Sequence, residues 1–221
     1  MSCACSDFGL DEIFTDRHAR RDARNYRKHG LPPRARLLLR LIERQHPIAG
    51  ATVLEGGAGA GALTVELARR GALSAHGIDA TPAAVQIAQQ LAADYQVADR
   101  TRFVAGDFSN PPHDTPRADL VILDRVVCCF PDWQALLANA AAQAKHVVAL
   151  VYPVDNLFSR AVARVLNTGQ VLLRHKFRLH IHPVADMHAY LQQHGFVGRA
   201  SGRYWMWEVA VLIRSPPFLT A

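Results

Sequence analysis

From Ala51 onward the chain alternates short apolar runs with amphipathic stretches, and this pattern restricts the fold more than any other property of the sequence. "ATVLEG" precedes "LTVELARRG", "LSAHGID" precedes "TPAAVQIAQQLAADY", then come "TRFVAGD", "ADLVILD" before "PDWQALLANAAAQA", and "HVVALVYP". Short runs that are apolar throughout are strands buried on both faces, and the stretches between them have helical periodicity. The pattern therefore spells βαβ units, with five strands in order in a parallel sheet covered by helices.

After "VALVYP" the pattern changes. A helix is expected near "NLFSRAVARVLNTG", an alternating extended stretch over "VLLRHKFRLHIHP" and a further helix over "PVADMHAYLQQHG". The end reads as two strands, "FVGRASGRY" and "WMWEVAVLIR", and the short turn between them permits only antiparallel pairing. The expected architecture is α/β: a Rossmann-like parallel sheet that ends in an antiparallel β-hairpin. A chain of 221 residues, half of them hydrophobic, supports one sizeable core. Residues 1–48 are expected to add an N-terminal helical lid to a main domain over 49–221, because Phe14, Tyr26, Leu37, Leu38 and Leu41 stand among arginines in helix-like sequence.

Charge and cysteine usage exclude some classes of function. The formal charge of +6 comes with three lysines against 22 arginines, the bias of a GC-rich genome, so no nucleic-acid partner is expected. Residues 17–44 hold ten of these basic residues against Asp22 and Glu43, which reads as a solvated helix face. No run reaches the roughly 18 apolar residues that span a bilayer, and no secretory signal pattern opens the chain; the expectation is a cytoplasmic protein without a membrane partner. Cys3, Cys5, Cys128 and Cys129 are then reduced thiols.

The stretch "VLEGGAGAGA" at 53–62 falls on the first strand-to-helix turn, where an open parallel sheet takes its ligand. Gly57, Gly59 and Gly61 let backbone N–H groups approach that ligand closely, and the small Ala58 and Ala60 keep the turn open. The stretch also satisfies a relaxed dinucleotide pattern, but Glu55 would repel a pyrophosphate and no tyrosine has a lysine four residues on, as a short-chain reductase would need. Acids at the ends of successive strands, Glu55, Asp79 and Asp107, suit S-adenosylmethionine: a carboxylate at 79 for the ribose diol, one at 107 for the adenine amino group beside Phe108, and negative charge for a cationic sulfonium.

With these residues in view, the sequence resembles the class I S-adenosylmethionine-dependent methyltransferases. "VLEGGAGAGALTVELARRGA" is similar to their first motif, "GIDATPAAVQIAQQ" to the second, "RFVAGDF" to the adenine-contacting segment and "ADLVILDRVVCCFPDW" to the fourth-strand segment. A more diffuse similarity points to the magnesium-protoporphyrin methyltransferases. The resemblance implies contacts to the methionine moiety from Glu55, Gly57, Gly59 and Asp124, to ribose from Asp79, and to adenine from Asp107 and Phe108. Ala58, Gly61, Ala80 and Arg125 complete the expected cofactor set; Tyr26 is read, from its place among the apolar residues of the leading segment, as a contact to the cofactor or the lid or else as a packed core aromatic.

The activity so implied is methyl transfer to a small-molecule acceptor, anionic if the basic "RHKFRLHIHP" forms its wall. Cys128, Cys129, Tyr152 and His182 are the expected acceptor-side residues. Asp124, His113, Tyr152, His180 and His182 are all candidates for a base, and no catalytic residue is singled out among them. Two other readings stay open: a thiol- or metal-binding protein that keeps the fold with little catalysis, and an RNA methyltransferase. "NPPHD" at 110–114 lies off the fourth strand, where an RNA enzyme's catalytic tetrapeptide would not.

Overall fold

A computed structural model describes residues 8–215. Within them the strands are β1 (Thr52–Gly56), β2 (Ser74–Asp79), β3 (Thr101–Ala105), β4 (Ala118–Asp124), β5 (Ala144–Pro153), β6 (Phe196–Tyr204) and β7 (Trp207–Arg214). They form one sheet in the order β3-β2-β1-β4-β5-β7-β6. The first five are parallel, and β7 pairs antiparallel with both β5 and β6, so the expected parallel sheet with a terminal hairpin is what the chain adopts. The strand order reverses between β1 and β4, and the carboxyl ends of these strands bound the crevice where such sheets bind ligands.

Alternation along the central strands explains the two helical layers. Leu120 and Ile122 of β4, with Val147, Ala149 and Val151 of β5, join the core under one layer, whereas Val121, Leu123, Val148, Leu150 and Tyr152 join the core under the other. The first layer holds α2 (Asp16–His29), α3 (Pro33–Glu43), α4 (Ala62–Arg69) and α5 (Pro82–Asp94); the second holds α6 (Trp133–Gln143) and α8 (Val184–Gln193). Between β5 and α8 runs α7 (Leu157–Leu172).

Of the segment 1–48 expected as a lid, α2 and α3 pack as follows. Ala19, Ala23 and Tyr26 of α2, and Ala35, Leu38, Leu39 and Ile42 of α3, are buried in the same core as the sheet. Their apolar faces make these helices part of the layer that covers β5, β6 and β7 and flanks α5. Only the short α1 (Leu10–Ile13) belongs to the opposite face: Glu12 accepts the Lys176 N–H at 2.7 Å, Phe8 packs edge-on against Phe130, and Phe14 against Phe177. The alternating stretch "VLLRHKFRLHIHP" differs from its expected form. Its first residues continue α7, and 175–183 form an irregular extended segment that pairs with no strand.

Candidate active site

The glycine turn leaves β1 with its N–H groups directed at β2. Gly57 N–H and Ala58 N–H donate to the Ile78 carbonyl at 2.7 and 3.1 Å, and Gly59 N–H donates to Asp79 Oδ2 at 2.7 Å. Gly61 opens α4 in the left-handed conformation, and a Cβ there would meet Ala88 at 2.6 Å and the Phe103 ring at 2.9 Å, so packing alone demands glycine. Gly59 is different: its φ is +53°, yet a Cβ would meet nothing within 4 Å. The turn therefore has an open side at Gly59, the place where a ligand could lie against bare backbone.

Three acids end the strands at this edge, and one of them, Asp79, holds Gly59 itself. Glu55 is buried and accepts a hydrogen bond from the Thr64 hydroxyl of α4. Burial pushes its pKa up to about 8, against the pull of Thr64, and the nearby charges of Asp124 and Asp79 push the same way. Asp79 is raised too, by burial, although N–H groups of Thr81 and Gly59 hold its carboxylate. Asp124 ends β4 opposite the turn, since Gly56 pairs with Leu123 in the β1–β4 register. Asp124 and Asp79 thus add to the proton affinity of Glu55, and three carboxyl groups brought together in this way suit a cation.

Asp124 has a partner that the sequence reading missed. Arg34, in the first turn of α3, donates from Nε to Oδ1 at 3.2 Å and from Nη2 to Oδ2 at 2.9 Å, with both side chains largely buried. A separation of 90 positions hides this pair from any local pattern. Only the fold, which sets the start of α3 at the carboxyl edge of the sheet, brings them together.

Beyond β3, Asp107 binds its own turn, accepting from Ser109 N–H and Oγ at 2.8 and 2.7 Å. Phe108 is buried, and its ring lies where a Cβ on Gly56 would fall, 2.5 Å away. That contact explains the glycine at 56. Ala80 packs on the same cluster, and Ala58 is buried beside Gly77. After β4, Arg125 has φ +63°, a left-handed turn that throws Val126 onto Gly57. Its guanidinium lies 5.7 Å from the Trp207 ring centroid.

The expected acceptor-side residues lie around the turn that follows. Cys128 and Cys129 are buried free thiols, 4.0 Å apart, and both donate to the Arg125 carbonyl. The adjacent Cys129 thiol, followed by burial, holds the Cys128 thiol well above its ordinary pKa, so it stays protonated. Cys3 and Cys5 lie outside the described residues. Among those described, no group of three or more His, Cys, Asp or Glu could hold a metal.

His182 Nε2 donates to the carbonyls of Val127 and Phe130 at 3.1 and 2.9 Å, and its ring stacks on His180. Burial lowers the pKa of both rings, so as a base His182 has only Nδ1 left. The Tyr152 hydroxyl shares a 2.7 Å hydrogen bond with His188 Nε2 on α8, a partner absent from the sequence reading, and burial followed by the charge of Glu208 raises the phenol. His113 is exposed on the loop after β3.

Tyr26 does not join this site. Its hydroxyl donates to Glu66 at 2.7 Å and its ring packs on Tyr95, at the end of α5. Helices that follow parallel strands return toward the amino edge of the sheet, so Tyr95 marks the side away from the glycine turn.

Comparison with known proteins agrees with this geometry. The family described as "Methyltransferase domain" matches residues 53–146, from β1 into β5. No curated protein sequence matches the chain. Among solved structures, magnesium protoporphyrin IX methyltransferase from Synechocystis PCC 6803, with bound SAH, is 21% identical at a TM-score of 0.65, over 81% of each chain. A TehB-like SAM-dependent methyltransferase from Corynebacterium glutamicum ATCC 13032 Kitasato is 18% identical at a TM-score of 0.62, over 91% of this chain and all of that one. An O-methyltransferase family protein from Burkholderia thailandensis is 15% identical at 0.71, over 95% of this chain and 64% of its own. Residues 53–146 match the methyltransferase domain family, and the chain as a whole has the fold of the class I S-adenosylmethionine-dependent methyltransferases.

Proposed function

We propose that the chain binds S-adenosylmethionine on the glycine turn and transfers its methyl group to a small anionic acceptor. The observation that carries this reading is the open side of Gly59, whose N–H donates to Asp79, together with the charge coupling of Glu55 to Asp79 and Asp124. A bare backbone suits a ligand in close contact, and clustered carboxyl groups suit one that is cationic. Asp79 would take the ribose diol while keeping its bond from Gly59. The Arg34–Asp124 ion pair complements the carboxylate and ammonium of the methionine part, and Phe108 with Asp107 borders the adenine.

When bound, the cofactor supplies an electrophilic methyl on a sulfonium. The chain's own work is positioning and exclusion of water, which together lower the barrier of an in-line displacement. Cys128, Cys129, His182 and Tyr152 bound the acceptor side, with Arg178 and Lys176 on the neighbouring segment as its cationic wall. The protonated Cys128 acts there as a packing group and a weak donor.

Calorimetric titration with S-adenosylmethionine, followed by incubation of the protein with labelled methyl donor and a metabolite extract, tests the proposal. Binding that Gly59→Val abolishes in a folded protein, together with label in a small acidic product, is the expected result. Absence of binding overturns the assignment; binding without any labelled product favours a cofactor-binding role.

A further inference from the structure

Helix α7 meets the rest of the molecule through its polar side. Ser159, Ala163 and Asn167 recur every four residues on one face: the first two are buried, and Asn167 exchanges hydrogen bonds with the Leu179 main chain at 2.8 and 2.9 Å. The remaining faces carry Leu157, Phe158, Val165, Leu166, Leu172 and Leu173, all exposed, with Leu157 at 85% and Leu172 at 79%. A helix of a globular domain ordinarily turns its apolar stripe inward. Here that stripe faces out, and an exposed apolar surface of this extent marks a docking site.

A second element adds to the patch. Val154 N–H donates to the Met206 carbonyl at 2.8 Å, which sets the β6–β7 turn next to the start of α7. That turn presents Tyr204 and Trp205, the latter 75% exposed. Pro153 pairs with Trp207, so both elements stand at the carboxyl edge of β5, the edge that also holds the glycine turn.

The surrounding charge identifies the occupant. Between Asp155 and Asp186 the chain has no acidic residue, but it has Arg160, Arg164, Arg174, Lys176 and Arg178. Of these five, among the described residues, Arg160 alone pairs with a carboxylate, that of Asp155 at 2.7 Å. A second copy of the chain docked on this face would set like charges against each other. An anionic bilayer would take the apolar side chains into its head-group layer and the basic groups against phosphate, at the depth where Trp and Tyr settle.

We propose that α7 and the β6–β7 turn dock this protein on the surface of an anionic lipid bilayer, with the sheet edge that holds the glycine turn toward the lipid. No described helix is long and apolar enough to cross a membrane, and a helix lying in the interface has no need to be. This surface goes beyond the proposed reaction and does not depend on it.

Co-sedimentation of the full chain with vesicles tests the proposal, using phosphatidylcholine alone or mixed equally with phosphatidylglycerol. The protein should pellet with the mixed vesicles, remain in solution with the neutral ones, and be released by high salt. Leu157→Glu/Phe158→Glu, Trp205→Glu and Arg174→Glu/Lys176→Glu should each lower the bound fraction at least about tenfold without shifting thermal unfolding. Failure to pellet with anionic vesicles, or equal binding to neutral ones, overturns the assignment. A dimer in analytical ultracentrifugation that Leu157→Glu/Phe158→Glu dissociates would assign the face to a second copy instead. Vesicle binding is read without cofactor or acceptor, so a failure of the methyl-transfer reading leaves it standing.

Discussion

Glu55 lies buried beside Thr64 within the field of Asp124 and Asp79, and its proton affinity follows from that setting. Its pKa rises from the ordinary 4.5 to about 8, so between these values the folded chain holds a proton that the unfolded chain has released. Stability attributable to this group therefore falls as pH rises through that window and levels off above it. Melting of the ligand-free protein across the window should show this slope, and Glu55→Gln should flatten it. A cationic cofactor favours the ionised form, so binding at neutral pH should release a proton. Titrations in buffers of different ionisation enthalpy should detect that release in the native chain and lose it in Glu55→Gln.

Asp79 acts on the neighbouring loop as well as on any ligand, because its carboxylate holds Gly59 N–H. Asp79→Ala should weaken cofactor binding by roughly 1.5 to 3 kcal/mol, the range for a charge-assisted hydrogen bond. Unchanged affinity in folded Asp79→Ala would count against the ribose contact.

Among the elements, α2 and α3 show most plainly what periodicity leaves open. Helical periodicity with an apolar stripe was legible in both, but periodicity states that a face is buried and leaves its partner open. The stripe of α2 meets α4 and α5 through Ala19, Ala23 and Tyr26, and Arg69 and Glu66 complete the Tyr26 contact. Tyr26→Phe should therefore cost about 1 kcal/mol of stability for the lost hydrogen bond while leaving cofactor affinity unchanged. Denaturant unfolding and calorimetry on one sample separate these outcomes.

The same packing bears on truncation. Removal of residues 1–15 should leave the sheet and its helical layer folded and lower turnover, since α1 alone reaches the segment from Lys176 to Phe177. Extending the deletion to residue 30 exposes the apolar faces beneath α2 and should destabilise the whole chain. At α3, Arg34→Ala leaves the Asp124 carboxylate, at 10% exposure, with only Arg125 Nε at 3.9 Å and should cost about 3 kcal/mol, as breaking a buried pair does. Adding Asp124→Asn should recover part of that loss.

Across the whole molecule, charge placement gives the two ends of the sheet opposite responses to pH. At the amino edge, burial raises Asp119, but bonds from Thr52 N–H and Oγ, with Lys145 nearby, more than offset it and leave its pKa lowered. A carboxyl lowered in the folded state adds stability that is lost as pH falls through its folded pKa. Glu55 at the carboxyl edge loses stability in the other direction. Asp119→Asn should therefore lower unfolding midpoints above the acid range and soften their fall as pH drops, while leaving unchanged the slope that Glu55 contributes between 4.5 and about 8. A change of that slope in Asp119→Asn would contradict this division.

The strand pattern, the glycine turn and the Asp79–Gly59 neighbourhood could be read from the sequence because each rests on short-range regularity. A strand buried on both faces must be apolar throughout, and a turn in close contact with a ligand must lack side chains. The Arg34–Asp124 pair, the Tyr152–His188 bond, the burial of Tyr26 and the outward stripe of α7 could not. Each joins residues far apart in the chain or concerns which face of a helix meets the core. The sequence by itself determined the order of elements and the chemistry of the turn. Only the tertiary structure decided the partners, because hydrophobic burial is non-directional and becomes specific once helices and sheet have packed.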